Sequence, residues 1–128
     1  MYLSIDPRWV AESLTQFEQQ FGRETYIEDW GALAAAVFRH SYELTAGEPF
    51  YEEVPTRAAI LLQMFVVTAP LKDYNALLGS ALAIRYMHES GQPIKPSGQA
   101  MADLAAGFRE GRVSLRAGAA QLRSWVVS

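Results

Sequence analysis

Pro55-Thr56-Arg57-Ala58-Ala59-Ile60-Leu61-Leu62-Gln63-Met64-Phe65-Val66-Val67-Thr68 decides the fold. Proline suits the first turn of a helix, where a backbone N–H has no partner within the helix anyway. From Ala58 to Val67 the apolar residues keep to no single stripe but surround the axis, interrupted by Gln63. A helix that is apolar nearly all round is covered on most sides by others. The stretch therefore predicts a central helix over 56–68 with further helices packed about it. It is too short to span a bilayer.

On either side of it, Asp, Ser, Pro and Gly cut the chain into about six helical segments. Asp6-Pro7 opens the first, with Val10, Leu14, Phe17 and Phe21 at helical spacing and Gly22 as a left-handed stop. Asp29 caps a second, through Leu33, Ala34, Val37 and Phe38 to the neighbourhood of His40. Pro70 breaks the central helix, and Asp73 is the expected cap of a fourth that runs to Gly91. Leu77, Leu78, Ala81, Leu82 and Met87 are its expected core stripe. Ser97 and Ser114 are candidate caps for two more, with Gly111 as a stop between them. Residues 41–54 read differently, as two short extended runs, Tyr42-Glu43-Leu44 and Pro49-Phe50-Tyr51, about a turn at Ala46-Gly47. With no repeat or interdomain linker, the expectation is one all-α domain over residues 1–128 with a small hairpin-like excursion.

Composition narrows the functional classes. Half of the 128 residues are hydrophobic, enough for a core held by neither metal nor disulfide. Absence of cysteine excludes a thiol nucleophile and a thiolate metal site, and fits a reducing compartment. Net charge is −3, the basic residues are scattered, and no global attraction for nucleic acid arises. The first residues lack the basic-then-apolar order of a signal peptide. The expectation is a cytoplasmic protein that binds neither nucleic acid nor membrane. His-x-x-x-His and paired carboxylates with ligand spacing are absent, so no metal site is expected.

The segment Ala69-Pro70-Leu71-Lys72-Asp73-Tyr74-Asn75-Ala76-Leu77-Leu78 resembles a degenerate copy of the Fic/Doc signature, which usually reads His-Pro-Phe-x-Asp-(Gly or Ala)-Asn-Lys-Arg-Thr. Pro70, Asp73 and Asn75 match it, and Leu71 replaces the Phe conservatively. Upstream, Asp29-Trp30-Gly31-Ala32-Leu33 and Thr56-Arg57-Ala58-Ala59-Ile60-Leu61-Leu62 are similar to the family's second helix and its Lys-Ala-Ala-x-Leu helix. Downstream, 81–91 is similar to its Phe-Leu-x-x-Asn-Gly ending, and 106–114 with 122–125 to the tail of its death-on-curing branch. The resemblance covers roughly residues 26–126. It implies a Fic/Doc-like helical bundle with a flap over the active site, and an origin in a toxin–antitoxin system.

In that family the motif is a loop that turns into a helix N-terminus, where free amides and the helix dipole hold nucleotide phosphates. Its His is the general base, its acid holds Mg²⁺, and its Lys and Arg neutralise phosphate. Here Ala69 stands in place of the His, and a methyl cannot accept a proton; general-base help is worth ~10²–10⁴ in rate. Tyr74 replaces the small residue, with a ring expected to fill space a phosphate needs and without glycine's freedom in φ. Ala76 and Leu77 replace Lys and Arg, so two positive charges are missing; an arginine in comparable sites is worth ~10³–10⁵. Asp73 and Asn75 remain as residual cofactor-binding residues, with helix capping as their structural alternative.

The resemblance thus implies a catalytically degenerate protein without a cofactor, acting as a binding or regulatory module: a decayed toxin component. The competing reading is an active transferase that moves phosphate or AMP from ATP with Mg²⁺ to a protein hydroxyl through a rearranged site. In the family, the stretch matching 41–54 is a flap that holds a target peptide by strand pairing. Tyr42, Leu44, Phe50 and Tyr51 are the candidate partner-binding residues there, with packing of Phe50 and Tyr51 on the central helix as the plain alternative. A protein partner, target peptide or antitoxin-like helix is expected at the flap or in a groove. His88 should lie about 20 Å from the motif loop along the fourth helix. His40 borders the flap. Arg57 and Arg85, on apolar helices, are expected to pair structurally or to reach the surface.

Overall fold

The computed structural model describes residues 5–22, 25–38, 40 and 53–127. Six α-helices run through them: α1 (Pro7–Phe21), α2 (Trp30–Phe38), α3 (Val54–Thr68), α4 (Asn75–Glu89), α5 (Gly98–Arg109) and α6 (Leu115–Ser124). The class is all-α, as the periodicity indicates. Strand-like pairing among the described residues is confined to two isolated antiparallel bridges, Ile27 with Leu71 and Ile94 with Val126. The expected flap, with Tyr42, Leu44, Phe50 and Tyr51, lies outside the described residues.

Most helix starts follow local chemistry. The Asp6 carboxylate accepts from the Trp9 amide at 3.0 Å, and Pro7 occupies the first turn. Asp29 does the same for the Ala32 amide at 3.0 Å, and the Ser97 and Ser114 hydroxyls accept from Ala100 and Ala117 at 3.0 and 3.1 Å. Such caps satisfy amides that a helix leaves free, stabilising by ~1 kcal/mol each.

Helix α3 is the axis of the bundle. From Val54 to Val66 every residue except Gln63 is buried, and α2, α4, α5 and α6 pack around it, while α1 joins through α4 and α2. Arg57 is wholly buried on this helix and does not reach the surface. Where α3 meets α4 the two backbones approach at Gly79, whose position would bring an added Cβ to 3.0 Å from that of Phe65. Phe65, Leu62, Leu78, Leu82 and Met87 fill the space around this crossing, all essentially without exposure. Each such side chain contributes at most ~1.5–3 kcal/mol of burial.

Two expectations for α4 are corrected. Asp73 is not its cap. The helix begins at Asn75 behind Tyr74, which has a left-handed backbone (φ 66°), and no side chain caps it. The core stripe is also rotated from the expected one. Leu78, Gly79, Leu82, Ala83, Tyr86 and Met87 face inward, while Leu77 is 47% exposed and Ala81 half-buried. A helix this rich in apolar residues offers several candidate faces, and contact with α3 selects among them.

Candidate functional site: the loop before α4

The chain between α3 and α4, residues 69–74, carries the motif, and it is pinned from both sides. The Pro70 carbonyl accepts from the amides of Glu28 and Asp29 at 2.8 and 3.0 Å, and the Lys72 amide donates to the Tyr26 carbonyl at 3.0 Å. The Thr25 hydroxyl donates to the Asp73 carbonyl at 3.1 Å and lies 3.2 Å from the Asp73 amide. Asn75 closes the loop from within: its Oδ1 accepts from the Leu71 amide at 2.9 Å and its Nδ2 donates to the Leu71 carbonyl at 3.0 Å. Leu71 itself is buried. The Asn75 carboxamide is therefore committed to holding the turn and does not cap α4.

Both ends of the loop are left-handed at residues other than glycine, Ala69 at φ 47° and Tyr74 at φ 66°. For residues with a Cβ this conformation costs roughly 1–2 kcal/mol. Paired strain of this kind concentrates at functional turns. At Ala69 it lets the amide bond back to the Phe65 carbonyl and end α3. Tyr74 thus adopts the backbone that the small residue was expected to provide. Its ring packs against Phe17 of α1, with centroids 6.1 Å apart.

Beside the loop lies a cavity of about 400 Å³ lined by Val66, Ala69, Lys72, Asp73, Tyr74, Asn75, Ala76 and Arg109. The uncapped start of α4 is here, with its amides and the positive end of its dipole. Ala76 lines it with a methyl, whereas Leu77 does not line it at all. Ala76 and Leu77 bring no charge, yet the cavity is not without cations: Lys72 and Arg109 both line it. Lys72 sits at the motif's variable position and its ammonium lies 5.7 Å from the Tyr26 ring centroid. Arg109 arrives from the end of α5, thirty-odd positions downstream, and only tertiary packing brings it here.

Neither histidine reaches this cavity. His88 is at the other end of α4, its Nε2 3.1 Å from the Ile94 carbonyl. His40 is wholly buried, its ring centroid 4.9 Å from that of Tyr86. Burial first, and the Arg57 charge second, push its pKa down to about 3. Arg85 pairs structurally, binding Glu89 at 2.7 Å, the Ser13 hydroxyl at 2.6 Å and the Trp9 carbonyl at 3.2 Å.

Among the described residues no group of three or more His, Asp or Glu is placed to hold a metal ion, and no helix is long and apolar enough to cross a membrane. No family model matches the chain, and no curated protein matches it.

Proposed function

We propose that the chain is a Fic/Doc-like protein that has kept the family's loop-to-helix site as a binding surface and lost its chemistry. On this reading it is a decayed toxin component that acts by holding a protein partner. The observation that carries the proposal is the lining of the cavity before α4. Where a general base is needed there is the methyl of Ala69, and neither imidazole is within the cavity. Asn75 is used up in holding Leu71, which leaves Lys72, Asp73 and Tyr74 as the ionisable groups of the motif itself. What the cavity retains is suited to recognition: free helix amides, a lysine, an arginine and a pinned backbone.

The transferase reading draws support from the same two cations, since Lys72 and Arg109 would favour a phosphate. It would need Asp73, the one carboxylate of the lining, to serve as the proton acceptor in place of the imidazole. Incubation of the protein with labelled ATP, Mg²⁺ and host proteins separates the two. The binding reading expects no label on any protein, from wild type or from Ala69→Ser alike. Mg²⁺-dependent label transfer by the wild-type chain, lost in Asp73→Asn, would overturn it.

A further inference from the structure

A larger cleft, of about 520 Å³, opens between α1 and α4, away from the motif loop. Its apolar lining comes from Phe17, Ala81 and Ile84, and its size falls within the usual range of small-molecule sites. At its polar end stands Arg85, whose guanidinium is fixed by several partners. Nε donates to Glu89, one Nη to Ser13 and the Trp9 carbonyl, and the other lies 3.4 Å from Glu12. The Trp9 ring backs the group at 4.6 Å, while Arg85 but not Trp9 lines the cleft. Trp9 Nε1 also donates to the second oxygen of Glu89 at 2.8 Å, so both oxygens of that carboxylate are occupied.

Two consequences follow for what the cleft can hold. Arg85 faces two carboxylates, Glu89 at 2.7 Å and Glu12 at 3.4 Å, so its charge is already matched and an anion gains no net attraction there. The guanidinium plane cannot swing, and a fixed plane favours stacking of a flat ring. The remaining polar groups suit an amide edge. Gln16 and Gln20 line the cleft one helical turn apart, each with a donor and an acceptor. The Ile94 carbonyl near Nε2 of His88 can only accept, which puts the neutral ring's proton on Nε2 and leaves Nδ1 as an acceptor.

We propose that this cleft binds a planar heteroaromatic amide that carries no negative charge, its ring lying between the Arg85 guanidinium and the Phe17–Ile84 lining and its amide met by Gln16, Gln20 and His88. This proposal does not rest on the function proposed for the motif loop.

The test is an NMR titration of the full chain at pH 7.5 with nicotinamide, and with cyclohexanecarboxamide as the saturated counterpart. Nicotinamide should give saturable shifts centred on Phe17, Ala81, Ile84 and Arg85, with a Kd on the order of 1 mM for so small a ligand. Cyclohexanecarboxamide should bind at least about tenfold more weakly if stacking on the fixed plane matters. Gln16 and Gln20 are exposed on α1, so Gln16→Ala and Gln20→Ala should keep the fold and weaken binding by about 2–10-fold each. Ala81→Phe should fill the cleft and abolish it. Absence of saturable shifts, equal binding of the saturated amide, or binding untouched by the two glutamine variants would each overturn the proposal.

Discussion

Acid should unfold this protein sooner than its carboxylates alone require, because His40 is buried and gains no acceptor for a proton among the described residues. Its ring is wholly buried and neither nitrogen has a hydrogen-bond partner among the described residues. Tyr86 covers it edge to face, and the charge of Arg57, also buried, disfavours a second cation beside it. In the unfolded chain the imidazole takes up a proton near pH 6.5; in the folded protein it does so only near pH 3. Between those values the unfolded state binds more protons, so stability rises with pH and is lost as pH falls below 6.5. At pH 5 the unfolded state is favoured by about 1.5 pH units of proton binding, or about 2 kcal/mol. That is a large share of the ~5–15 kcal/mol that holds a small domain together. His40→Phe keeps a ring against Tyr86 and removes both nitrogens. Urea unfolding of wild type and variant at pH 7.5, 6 and 5 isolates the effect, because His88 and every carboxylate are common to both. The wild type should lose about 2 kcal/mol more than the variant between pH 7.5 and 5. Parallel losses would refute the reasoning and mean that His40 meets water or an acid in the folded state.

Three further outcomes can be checked by the same unfolding measurement at neutral pH. Ala69→Gly relieves a left-handed alanine at φ 47°; set against glycine's greater freedom when unfolded, a net gain of roughly 0.5–1 kcal/mol is expected. Asn75→Ala strips both polar partners from the buried backbone of Leu71 and should cost about 1–3 kcal/mol. Gly118→Ala drives a methyl into the Phe108 ring where α6 crosses α5, and should destabilise by roughly 1–3 kcal/mol through overpacking.

What could be read in the sequence is what depends on neighbours along the chain. Asp6, Asp29, Ser97 and Ser114 are caps because each side chain needs only an amide three residues ahead. The central role of α3 follows from a run too apolar for any exposed face. Asp73 looks the same on paper and behaves differently. Its backbone is held by Thr25, forty-eight positions away, and the turn at Tyr74 places the helix start one step later than a cap at Asp73 allows. Leu77 faces outward because α3 is on the other side of α4. A helix apolar on nearly every face carries no internal mark of which side will be covered. At the candidate site, the side chains of Ala69, Ala76 and Leu77, which offer neither a proton acceptor nor a charge, could be read residue by residue. The arrival of Arg109 was not, since it depends on how α5 is laid against the bundle.

Because the Pro70 carbonyl holds the two amides that immediately precede α2, the starts of α2 and α4 are mechanically one piece. A molecule settling at the loop finds a socket already cut to shape, with little ordering left to do on arrival. Displacing the loop would then mean breaking the two hydrogen bonds to Glu28 and Asp29 or shifting the start of α2 with it.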